Sequence, residues 1–223
     1  MAIDRQAPPT PVSAYSAPAS AHRLTGGGTT GNERLTAATG FVLLGLLAVI
    51  GVTIIRLGPL LSVHMFVGIL LLGPVGLKLA STGYRFIRYY SANPQYRLKG
   101  PPPMLLRMLA PMVVLSTLVV FVTGVALLLI GPSSRDTLLP IHKISFFVWL
   151  AFTAVHVLGH LVELPEMLRA DYGRSRLSSD VTGRAGRTLA LSAALVLGAV
   201  LAILLLPDFG AWLHGSDIFH GNG

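Results

Sequence analysis

The sequence predicts an all-α integral membrane protein whose five transmembrane helices form a bundle, and three observations carry that prediction. Only 12% of the 223 residues are charged, against about 25% in a soluble domain. Hydrophobic residues make up 52%, and the mean hydropathy is +0.68. The apolar residues also gather into blocks of about 20 or more, the length that crosses a hydrocarbon core about 30 Å thick.

The elements follow in chain order. Residues 1–33 hold Pro8, Pro9, Pro11, Pro18 and Gly26-Gly27-Gly28 among Ala, Ser and Thr, a composition that buries too little apolar surface to offset ordering, so a disordered tail is expected. It lacks the apolar core of a signal peptide. Spans are expected at about 34–57, 60–89, 104–130, 138–168 and 188–206, with residues 207–223 as a short external tail. Barrel strands would be about 10 residues long with strict alternation, so these lengths favour helices. Gly58-Pro59 makes a tight connection, Pro101-Pro102-Pro103 a stiff entry to the third span, and Gly131-Pro132 ends it.

Lys and Arg in the connections set orientation. Arg5, Arg23, Arg34, Arg85, Arg88, Arg97, Lys99, Arg107, Arg169, Arg174, Arg176, Arg184 and Arg187 fall on one side; only Arg56, Arg135 and Lys143 fall on the other. A multi-pass protein of the cytoplasmic membrane is expected, N-terminus cytoplasmic and C-terminus outside. The net charge of +8 then serves topology and contact with anionic lipid. No basic face with stacking aromatics stands on a soluble module, so nucleic acid is excluded as a partner. The absence of cysteine removes disulfides, thiolate zinc sites, iron–sulfur clusters and thioether-linked cofactors.

Ionisable groups inside a membrane are costly and mark functional sites. Here they are His64 and Lys78 on the second span and His142, His156, His160 and Glu163 on the fourth. These two spans run in the same direction. Counting about 1.5 Å per residue, His64 and His142 are level near the outer face, and Lys78 and His156 are level about 21 Å deeper. At 100° per residue, His142, His156 and His160 share one helix face.

Two level histidines on neighbouring helices suit axial ligation of a b-type haem, each imidazole offering one nitrogen to iron while an acceptor holds its other N–H. His64 and His142 are the leading iron ligands, with His156 next. Gly68, Gly73, Gly76, Gly83 and Gly124 would leave room for a flat macrocycle, or else let helices pack closely. His156 and His160 are one turn apart on one helix and cannot take opposite faces of one iron. A second haem therefore needs a partner from Lys78, Met108, Met112 or another subunit; Lys78 could instead neutralise a propionate or Glu163. Arg85, Arg88, Tyr84, Tyr89 and Tyr90 read as an interfacial anchor, or functionally as a propionate clamp or quinone-head pocket.

From His64 opening the second span, Thr123-Gly124 late in the third and the His142, His156 and His160 spacing in the fourth, the region of about Leu35 to Leu206 resembles the cytochrome b561-like, di-haem membrane cytochrome b superfamily. That group includes the membrane subunits of formate dehydrogenases and nickel–iron hydrogenases. The resemblance implies electron transfer between a quinone in the bilayer and a redox partner subunit, through b haems. It gives ligand roles to His64, His142 and His156, with His160 as an alternate. The sequence departs from the pattern where Lys78 stands in place of a second histidine on span two. One or two haems and a quinone are thus the expected cofactors. Two rival expectations are a proton- or metal-coupled transporter using the His, Lys and Glu set, with Gly73-Pro74 breaking span two, and a haem-free scaffold.

Overall fold

In the computed structural model, residues 28–98, 104–161 and 183–214 are described, apart from the side chains of Leu105, Leu106, His160, Leu161 and His214. Every regular element among them is a helix: α1 (Gly28–Ile55), α2 (Leu57–Leu70), α3 (Leu72–Tyr90), α4 (Pro94–Leu98), α5 (Met104–Ile130), a 3-10 turn at Pro132–Ser134, α6 (Arg135–Leu161), α7 (Arg184–Leu204) and α8 (Leu206–His214). Five stretches are long and apolar enough to cross a membrane: α1, α2 with α3, most of α5, most of α6, and α7. Large apolar side chains such as Phe41, Val122, Val148 and Leu197 stand exposed on their outer faces, which suits hydrocarbon as the surrounding solvent.

α1 begins six residues before the expected start of the first span, and polar contacts explain why. Asn32 Nδ2 donates to the Ser81 carbonyl at 3.0 Å, Thr36 Oγ1 to Ser81 Oγ at 3.0 Å, and Arg85 pairs with Glu33 at 3.4 Å. These bonds to α3 order a first turn that composition alone assigns to the tail. Residues 1–27 of that tail lie outside the described residues.

The expected second span is two helices. Pro74 has no N–H to give the Leu70 carbonyl, four residues back, and its ring crowds that oxygen. The chain turns at Leu71, which keeps helical angles (φ −59°, ψ −24°), so the feature is a proline kink within a continuous span. The displaced backbone is used for packing: a Cβ at Gly198 of α7 would fall 2.1 Å from the Leu70 carbonyl oxygen, and one at Gly73 would fall 1.9 Å from the Ala194 oxygen. Two bare backbones therefore meet, as small residues allow between membrane helices.

α1 with α2–α3 forms one hairpin, closed at Arg56; α5 with α6 forms another, closed through Gly131, whose φ of +83° suits glycine. α7 packs mainly against α2 and α3, and the hairpins meet mainly at their turn ends. There Ile69, Leu128, Ala202 and Phe209 form the core cluster. Phe209 belongs to α8, in a segment expected as a solvated tail; it is 3% exposed, and Trp212 Nε1 donates to the Leu127 carbonyl at 3.2 Å. The aromatic pair docks α8 onto the end of α5. Helix α6 ends its description at Leu161, so the expected continuation to Leu168, with Glu163, lies outside the described residues.

Candidate functional site

α1, α2–α3, α5 and α6 line a half-open cavity of about 2180 Å³, and no residue of α7 lines it. Small-molecule pockets are usually about 300–1,000 Å³, so this one has room for a large flat ligand with space beyond it. Helical periodicity decides what faces it. On α6 the inward stripe is Leu139, His142, Phe146, Trp149, Thr153 and His156, at alternating three- and four-residue steps. Ile141, Ile144, Val148, Val155 and Leu158 are exposed on the other side. On the second span the inward stripe carries His64, Gly68, Val75, Lys78, Thr82 and Arg85.

The structure thus brings four of the five candidate residues, His64, Lys78, His142 and His156, to one cavity. His160 lies on helical backbone, and its side chain is outside the described set. Both leading histidines are anchored through the same ring nitrogen. Thr53 Oγ1 lies 2.9 Å from His64 Nδ1, and Thr123 Oγ1 lies 3.0 Å from His142 Nδ1. The two rings, one from each hairpin, are within electrostatic reach of each other. Gly124 makes room for the second ring: a Cβ there would stand 3.1 Å from His142 Cε1 and 3.6 Å from Nδ1. The imidazole rests on bare backbone.

Lys78 is placed differently. Its ammonium donates to the Thr36 carbonyl of α1 at 2.7 Å, and a Cβ on Gly40 would stand 3.1 Å from Nζ. That contact commits Nζ to the α1 backbone, so Lys78 acts here as a hydrogen-bond donor tied to Thr36. Arg85 and Arg107 join it along the wall with Glu33, Tyr89, Tyr90 and Tyr96; Arg107 also donates to the Tyr90 hydroxyl at 2.5 Å. Tyr84 and Arg88, expected in the same cluster, do not line the cavity. Between the two ends, Trp149 Nε1 donates to the Thr117 hydroxyl at 3.0 Å, which pins the indole.

The glycines divide by task. Gly68 and Gly83 line the cavity with open space beside them, Gly124 seats an imidazole, and Gly73 serves the contact with α7. Gly76 faces open space off the cavity. Of the two methionines considered as ligands, Met108 lines the cavity and Met112 does not. Among the described residues no group of three or more His, Asp or Glu could hold a metal ion, so His64, His142 and His156 do not make one three-ligand centre. Sequence reasoning missed Thr53 as a partner of His64 and valued Thr123 only through the resemblance. No local signal marks either one, since α1 also carries Thr36 and Thr39 and α5 also carries Thr117.

The donor set fits a planar metal macrocycle better than a bare ion: imidazoles from two hairpins on one cavity, a glycine beside one of them, apolar walls and basic groups. In comparisons with known proteins, no family model, no curated protein and no solved structure matches the chain.

Proposed function

We propose that the chain is a membrane b-type cytochrome that carries electrons between a quinone pool and a redox partner subunit. One observation carries the reading: imidazoles from two separate hairpins line one large cavity, each with Nδ1 held by a buried threonine. Iron-ligating histidines are held in this way, through the nitrogen that does not touch the metal. Bound haem would supply one-electron chemistry. The chain's own residues do the rest. His64 and His142 supply the axial nitrogens, Gly124 admits the His142 ring, and the apolar walls keep water from the metal. Lys78, Arg85 and Arg107 place positive charge where carboxylates of a bound group can be met. His156 faces the deeper part of the same cavity, while Lys78 is spent on Thr36, so one bis-histidine haem per chain is the reading.

The transporter alternative drew on the break at Gly73-Pro74. A kink with helical angles at Leu71 and a Val75 N–H to Leu71 carbonyl bond of 2.9 Å keep the backbone helical at that break, which gives the alternative no support there. The test is a reduced-minus-oxidised spectrum of the purified protein. We expect a b-type α-band at one haem per chain, lost in both His64→Ala and His142→Ala. Folded protein purified with no haem would refute the reading.

A further inference from the structure

The two threonines fix the protonation of the two imidazoles, and counting protons shows how. A helix carbonyl can only accept a hydrogen bond, and a threonine hydroxyl has a single proton to give. Thr53 Oγ1 lies 2.7 Å from the Ile50 carbonyl oxygen, so its proton is committed there. The proton in the 2.9 Å contact between Thr53 Oγ1 and His64 Nδ1 must then come from the ring. Thr123 repeats the arrangement. Its Oγ1 lies 2.8 Å from the Val119 carbonyl and 3.0 Å from that of Val120, and 3.0 Å from His142 Nδ1. Ser145 does not upset the count, because its hydroxyl donates to the His142 backbone carbonyl at 2.9 Å.

We propose that Thr53 and Thr123 are positioning residues that hold His64 and His142 as the Nδ1–H tautomer, leaving the Nε2 lone pair of each ring as the donor offered to the cavity. A neutral imidazole has one N–H and one lone pair, so committing Nδ1–H decides the other nitrogen. Thr53 is 1% exposed and Thr123 9% exposed, so water does not compete for the hydroxyls. The same device occurs on two hairpins with different connections, the partners being 11 residues apart in one and 19 in the other. A chance product of one turn geometry would not recur in that way. This inference rests on the cytochrome reading only for what the lone pairs bind, not for the tautomer itself.

The experiment uses full-length haem-free protein in lipid nanodiscs, labelled with 15N in histidine, at pH 8, where an ordinary imidazole is neutral. His64 and His142 signals are identified from their loss in single His→Gln variants. Both rings are expected as Nδ1–H with Nε2 unprotonated. Thr53→Val, which keeps shape but removes the hydroxyl, should release His64 alone into a tautomer mixture, and Thr53→Ser should restore it. Thr123→Val should loosen His142 by a smaller margin, because the Val120 carbonyl also accepts from that ring, and Thr123→Ser should restore it. Titrated with haem, each Val variant should bind about 10–100-fold more weakly and show a higher midpoint potential, because a less polarised N–H leaves a less basic ligand. An Nε2–H ring in the unmodified protein, or a tautomer unchanged by the Val variants, would overturn the proposal. Tautomers as stated with no haem uptake at any concentration would uphold it and reject the cytochrome reading instead.

Discussion

The two ends of the cavity are built from the same helices but by opposite rules. Near the hairpin turns, His64 and His142 are each gripped at Nδ1 by a hydroxyl and keep one nitrogen for a ligand. Fourteen residues further along the same stripes, His156 and Lys78 also line the cavity, and Lys78 is tied to an α1 carbonyl. One end offers electron pairs; the other offers charge. A bundle meant to hold two equivalent macrocycles would repeat the first arrangement at the second level. Replacing a ligand-type side chain by a cation makes the deeper end a place for anionic or carbonyl groups.

The largest expected effect separates the ends most sharply. His64→Ala or His142→Ala should abolish haem binding, a loss exceeding the roughly 100-fold attached to an outer partner of a ligand, whereas Lys78→Met should retain the α-band; absorbance per mole of protein reads both. An α-band that survives the histidine changes but disappears with Lys78→Met would invert the assignment. Next comes the joint between the ends. Gly73→Ala or Gly198→Ala drives a Cβ to within 1.9 or 2.1 Å of a facing carbonyl oxygen, so α7 must move away. Overpacking of this kind costs about 1–3 kcal/mol or more, to be read as a lower unfolding midpoint in detergent. Either variant should lower haem occupancy only as far as it lowers stability.

Smaller effects refine the deeper end. Lys78→Met removes a charged hydrogen bond to Thr36, worth about 1.5–3 kcal/mol, partly offset because methionine does not need to be solvated; thermal unfolding should show a net loss below that range. Smallest is Glu33→Gln. Its partner Arg85 is 40% exposed at 3.4 Å, and exposed pairs contribute about 0–1 kcal/mol. A change beyond about 1 kcal/mol in the same unfolding assay would mean that the rim does more than close α1 onto α3.

Much of this was legible in the sequence because it depends on period and length. The five apolar blocks become five membrane-length helices, and the spacing of His142 and His156 places both on one inward stripe. What escaped depends on contacts between elements. Residues 28–33 have a loop-like composition, yet Asn32 and Glu33 find partners on α3. Residues 206–214 follow a span and begin with Leu-Pro-Asp, yet Phe209 and Trp212 bind the end of α5. Gly73 offers space to any neighbour, and only the fold assigns that space to α7. Thr53 has no motif around it. Its role exists only once the α1–α2 hairpin closes.

Because each hairpin carries its own hydroxyl–imidazole pair, neither half of the molecule owns a complete binding site. The halves touch mainly around Ile69, Leu128 and Phe209, so any guest grasped by both rings also acts as a rivet between them. Loading and folding then reinforce one another, since a ligand that prefers the assembled form stabilises it by mass action. A cell could therefore distinguish filled from unfilled copies by how readily the two hairpins part, without any dedicated sensor.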